Sequence, residues 1–61
     1  MKRTAFEKHL KKHNCQKIRE GSNHSVWANK FSENQSSVAR HNELSNIICK
    51  EICKQLGIPS L

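Results

Sequence analysis

Residues 19–27 read REGSNHSVW, so Arg19 and Glu20 meet the turn formers Gly21, Ser22 and Asn23 before the chain runs into His24. An imidazole titrates near neutral pH. His24 can therefore take a proton from an RNA 2′-hydroxyl or return one to a departing 5′-oxygen. RNA carries its own nucleophile, and an enzyme acting on it needs little beyond a positioned acid or base and positive charge at the phosphate. Lys17, Arg19, Arg40 and His41 can supply that charge, and the backbone N–H groups of Gly21 and Ser22 can add to it. The same residues also suit a phosphate grip without catalysis, or an ordinary hairpin corner. Taken alone they leave all three readings open.

Other chemistry is less well served. His9 and His13 lie four apart, as do Cys49 and Cys53, which makes four ligands of the zinc type available. The order His-x3-His before Cys-x3-Cys is not that of the usual fingers, and Ile48, Ile52 and Leu56 around the cysteines mark them as small residues at the edge of a core. No metal and no cofactor is expected. A disulfide between Cys49 and Cys53 conflicts with the geometry of a single helical turn, and Cys15, despite Lys17 and His13 nearby, reads as a packing residue rather than a nucleophile. With two glycines in all, the chain has no phosphate-loop or dinucleotide pattern.

The chain as a whole favours a polyanionic partner. Eleven Lys and Arg oppose five acidic residues among 61, a formal net charge of +6. Binding to nucleic acid through such charge is strong at low salt and falls steeply as salt rises. A chain of this length is expected to form one domain, residues 1–61, burying only about 60% of its unfolded surface, and such domains lean on a partner or a staple. Ile47 to Cys49 is the longest apolar run, far short of the roughly 20 residues needed to cross a bilayer. MKRTAF has charge but no apolar stretch behind it. No membrane contact is expected, and a cytoplasmic location is, with three cysteines arguing against a secreted disulfide framework.

The elements that must hold these residues follow from local signals. Thr4 and Glu7 have the spacing of a capping box, which predicts a first helix starting there with Phe6 and Leu10 on its inner face. His13 and Asn14 close it, Asn being tolerated in a left-handed turn. Cys15–Glu20 and His24–Phe31 read as two strands of a hairpin joined by Gly21, Ser22 and Asn23. After a polar turn over residues 32–35, Ser36–Ala39 is a third strand. Alternation puts His24 and Val26 on one face and Ser25 and Trp27 on the other. Ser45 is the expected N-cap of a last helix in which Leu44, Ile48, Ile52 and Leu56 form the apolar arc, with Gly57, Ile58 and Pro59 ending it. The predicted fold is α+β, ordered α-β-β-β-α: a three-stranded antiparallel sheet with both helices on one face, as in double-stranded-RNA-binding domains.

REGSNHSVW, followed by SVARHNELSN and IICKEICKQLGIP, resembles the HicA toxins of bacterial type II toxin-antitoxin systems, from the first helix to Pro59. The specific part is Gly21-Ser22-Asn23-His24 at the hairpin together with Arg40-His41 before the last helix. The resemblance implies an mRNA interferase, a small endoribonuclease of double-stranded-RNA-binding-like fold with one catalytic histidine in a Gly-Ser-x-His motif, here His24. It further implies RNA as substrate and a HicB antitoxin as the partner that covers the active site. A non-catalytic RNA-binding module of the same fold is the alternative. The chain departs from the family at Ala39, where a proline often precedes the Arg-His pair, and at Asn14 and Cys15, where a glycine and a large aromatic often stand. Both departures predict altered loop stiffness and packing rather than lost activity.

Overall fold

The computed structural model describes residues 1–60. It contains α1 (Arg3–Lys12), β1 (Cys15–Glu20), β2 (His24–Asn29), β3 (Gln35–Ala39) and α2 (Asn46–Leu56), in the expected α-β-β-β-α order. The strands form one antiparallel sheet in the order β1-β2-β3. Phe6 and Leu10 of α1 and Cys49, Ile52, Cys53 and Leu56 of α2 share a single core with Cys15, Trp27 and Val38 of the sheet, so both helices cover the same face.

Trp27 is the centre of that core and is fully buried. Its indole Nε1 donates to Ser25 Oγ at 3.1 Å, and the Ser25 hydroxyl donates in turn to the Val38 carbonyl at 3.4 Å. The polar end of the ring thus has a partner inside the protein, without which its burial would be costly. Truncating a buried tryptophan to alanine removes about 3–5 kcal/mol, against a total of about 3–9 kcal/mol for a domain of this size. Two side-chain bonds tie α2 to the sheet: Asn29 Nδ2 donates to the Leu56 carbonyl at 2.9 Å, and Ser36 Oγ to Gln55 Oε1 at 2.6 Å.

Local signals and structure differ at three places. The capping box does not form. α1 begins at Arg3 with Lys2 as N-cap and no side-chain cap bond. The main chain meets that need instead, since Lys2 bridges Glu43 and the Arg3 N–H donates to the Asn42 carbonyl at 2.9 Å. Glu7 is left to pair with Arg3 Nε at 3.7 Å. Next, β2 stops at Asn29 rather than Phe31, because Asn29 Oδ1 accepts from the N–H groups of Phe31 and Ser32 and turns the chain. Finally, the inner arc of α2 is Cys49, Ile52, Cys53 and Leu56, while Ile48 is half exposed. The helix is rotated so that two small thiols, rather than a branched side chain, meet the sheet.

The remaining caps form as the sequence predicts. Asn14 is left-handed at φ 68°. Ser45 Oγ accepts from the Ile48 N–H at 3.2 Å. Gly57 is left-handed at φ 71°, and the Ile58 N–H donates back to the Cys53 carbonyl at 3.0 Å, closing α2.

Candidate functional site

The face of the sheet away from the helices carries the candidate site. His24 opens β2 and pairs with Ala39 of β3, while the next pair, Ser25 and Val38, is buried. Alternation therefore sends His24 and Val26 to the uncovered face, where His24 is exposed and its imidazole makes no hydrogen bond among the described residues.

Arg19 reaches the same face through an irregularity in β1. Lys17 pairs with Trp27, but the register then shifts, so that Arg19 stands opposite Val26 and Glu20 opposite Ser25. Ile18 is the extra residue of a β-bulge, 46% exposed. Without it Arg19 would face the helices and the Glu20 carboxylate would lie on the His24 side. The bulge places a cation beside His24 and moves an anion away. Arg19, Gly21, Ser22, Asn23, His24, Val26 and Ser37 line an open concavity of about 440 Å³.

The hairpin corner itself is held tightly. The Gly21 N–H donates to the His24 carbonyl at 2.7 Å, and a Cβ on Gly21 would stand 2.9 Å from that same oxygen, which is why glycine is needed here. This bond also removes one of the two backbone donors expected to meet a phosphate. Only the Ser22 N–H is left for that purpose.

Arg40 fastens the end of β3 to the corner. Its backbone N–H donates to the Asn23 carbonyl at 3.0 Å, its Nη1 donates to the Gly21 carbonyl at 2.9 Å, and its Nη2 lies 3.7 Å from Glu20 Oε1. Lys17 Nζ donates to the same carboxylate oxygen at 3.1 Å. The hydrogen bond and charge of Lys17, then the charge of Arg40, hold the Glu20 carboxyl below the usual carboxylate range. Lys17 and Glu20 project from the helix-covered side, as their partners Trp27 and Ser25 do, so Lys17 is not brought to His24.

His41 follows the Arg40 fastening directly. Ser22, Asn23, His24, Arg40 and His41 line a second concavity of about 380 Å³, adjoining the first at His24. The structure thus gathers His24, Arg19, Gly21, Ser22, Arg40 and His41 around one corner and leaves Lys17 behind the sheet. The roles of Ile18 as a bulge, Arg40 as a fastener and Glu20 as its anchor carry no sequence signal: no glycine marks the bulge, and a lone Arg after a strand has no periodicity to read.

The cysteines take no part. Cys15, Cys49 and Cys53 are buried free thiols, and burial pushes each above its ordinary value, Cys53 further so through Cys49 and Cys15. Among the described residues no cluster of His, Cys, Asp and Glu could hold a metal ion, and no helix is long and apolar enough to cross a membrane.

The molecule is thus a small basic α+β domain with an exposed histidine at a hairpin corner, Arg19 on the same open sheet face and Arg40 fastening the turn. The sequence model of one family, described as the HicA toxin of bacterial toxin-antitoxin, matches residues 4–58, a span containing every candidate site residue. The chain belongs to this family of toxins. Comparisons with curated proteins and with solved structures gave no match.

Proposed function

We propose that the protein is an endoribonuclease of the mRNA interferase type, in which His24 moves a proton at the scissile phosphate. The observation that carries this reading is the exposed, uncommitted imidazole of His24 on the same open face as Arg19. The adjacent 2′-hydroxyl of the RNA is the nucleophile. It attacks phosphorus, the P–O5′ bond breaks, and the products are a 2′,3′-cyclic phosphate and a 5′-hydroxyl end. Arg19 and the Ser22 N–H face the phosphate and stabilise the charge that develops on its oxygens. The nucleophile belongs to the substrate, so the proposed reaction needs no metal-bound water to supply one.

The partner in this reading is a HicB-type antitoxin that covers the His24 corner. An open sheet face on which none of the described residues packs suits such a cover, and a cognate partner stabilises a small domain by mass action. Its mRNA substrate places its work in the cytoplasm.

The test is cleavage of a labelled, mostly single-stranded RNA in chelator by wild type and by His24→Ala purified identically. Cleavage by wild type, lost by about 10²–10⁴-fold in the variant with RNA binding retained, is expected. A variant that cuts at the wild-type rate ends the assignment of His24. If neither protein cuts but both bind RNA, the domain is a binding module.

A further inference from the structure

A single imidazole cannot at one instant accept the 2′-hydroxyl proton and donate one to the departing 5′-oxygen. Building on the function proposed above, we infer that His41 is the second proton-transfer group and that His24 and His41 work as an acid-base pair across one phosphate.

Three features bring the two histidines together. They line the same concavity, together with Ser22, Asn23 and Arg40. The backbone around His41 is fixed on both sides: the Arg40 N–H donates to the Asn23 carbonyl at 3.0 Å, and the Asn42 carbonyl accepts from the Arg3 N–H at 2.9 Å. The Arg40 guanidinium also reaches across the corner to the Gly21 carbonyl at 2.9 Å, fastening the segment that carries His41 to the turn that carries His24. Both side chains are exposed and neither is used in the protein's own hydrogen bonding among the described residues. On this geometry Arg40 is a positioning residue for the pair, already committed to Gly21 and Glu20, and Arg19 is the better phosphate contact.

The step balances without a further reactant. One imidazole takes the 2′-hydroxyl proton as the new P–O2′ bond forms. The other, entering as imidazolium, gives its proton to O5′ as the P–O5′ bond breaks. Each histidine then returns to its starting state by exchange with water. The charged groups around the pair are Arg19 from β1, Arg40 beside His41, Glu20 held behind the sheet by Lys17 and Arg40, Glu43 with its ion partner the Met1 ammonium at 3.4 Å, and, from the start of α1, Lys2 and Arg3, the latter paired with Glu7. A pair of this kind gives a rate that falls on both sides of an optimum, because one member must be neutral and the other charged.

The experiment compares wild type, His24→Ala, His41→Ala and His41→Gln in single-turnover cleavage of ordinary RNA. The same RNA with a 5′-bridging sulfur at the cleavage site serves as a second substrate, since its thiolate leaves without a proton. Circular dichroism of each variant verifies folding. On ordinary RNA the His24 variant and both His41 variants are expected to lose about 10²–10⁴-fold. On the sulfur substrate the variants at one of the two positions, and at that position alone, recover to within tenfold of wild type. His41 variants that cut ordinary RNA within tenfold of wild type overturn the inference, as does an equal loss on both substrates at both positions. Either result leaves the His24 assignment standing if His24→Ala is still inactive, whereas a wild type that never cuts overturns both.

Discussion

Arg19 and Val26 stand opposite each other across the first hairpin, one step out of the register that Lys17 keeps with Trp27. Everything cationic on the open face of β1 depends on that step. Replacing Arg19 by alanine removes the phosphate contact proposed for it but nothing from the core. RNA binding should weaken about tenfold, equivalent to about 1.4 kcal/mol, and the slope of log affinity against log salt should shrink by about 0.7 for a single-stranded ligand. A salt titration by fluorescence anisotropy measures both, while the melting temperature stays close to that of wild type.

Gly21→Ala is a different kind of change, since the added Cβ would lie 2.9 Å from the His24 carbonyl, an oxygen already accepting the Gly21 N–H at 2.7 Å. That backbone contact cannot yield without opening the corner. The variant should lose about 1 kcal/mol or more of stability and a larger share of cleavage than of RNA affinity. Denaturant melts followed by Trp27 fluorescence, beside single-turnover rates, separate the two losses.

Glu20 predicts an acid-sensitive corner. Lys17, through its hydrogen bond and its charge, and then Arg40 hold the Glu20 carboxyl below its ordinary value. A folded value lower than the unfolded one means that the contribution is present above the ordinary glutamate range, near about pH 4.3, and is lost as pH falls through the lower folded value. The group is fully exposed, so the effect is small and screened by salt. Melting temperatures of wild type and Glu20→Gln measured from pH 7 downward at low salt should differ at neutral pH and converge in acid.

The three thiols should be silent in the native protein. Cys15, Cys49 and Cys53 are at most 4% exposed, and burial favours their protonated form. Since the thiolate is the reactive species, a maleimide at neutral pH should label none of them in the folded state and all three in guanidinium. Mass spectrometry of the two samples gives the count.

The sequence revealed those parts of the fold that a single residue type decides. Asn14 and Gly57 stand where the backbone is left-handed, and Ser45 where a helix needs a cap. His24 and Trp27 fall on opposite faces because strand alternation allows nothing else. Features settled by distant segments were hidden. Thr4 and Glu7 have the spacing of a cap, yet the chain near Asn42 satisfies the start of α1 first. Ile48 looks as good a core residue as Ile52, and only docking against the sheet decides that Cys49 and Cys53 go inside. The same limit applies at the candidate site. Lys17 and Arg19 look equivalent in the sequence, and one bulged residue between them sends their side chains to opposite faces.

The contact between Arg3 and Asn42 ties the beginning of α1 to the stretch that holds His41. Helix ends fray more readily than sheets melt, but the first turn of this helix leads into Phe6, fully buried in the Trp27 core, and Arg40 is held separately to the Asn23 and Gly21 carbonyls. The stretch carrying His41 is thus strung between two independent anchors, the hairpin turn on one side and the start of α1 on the other, so opening either one leaves the other still holding it.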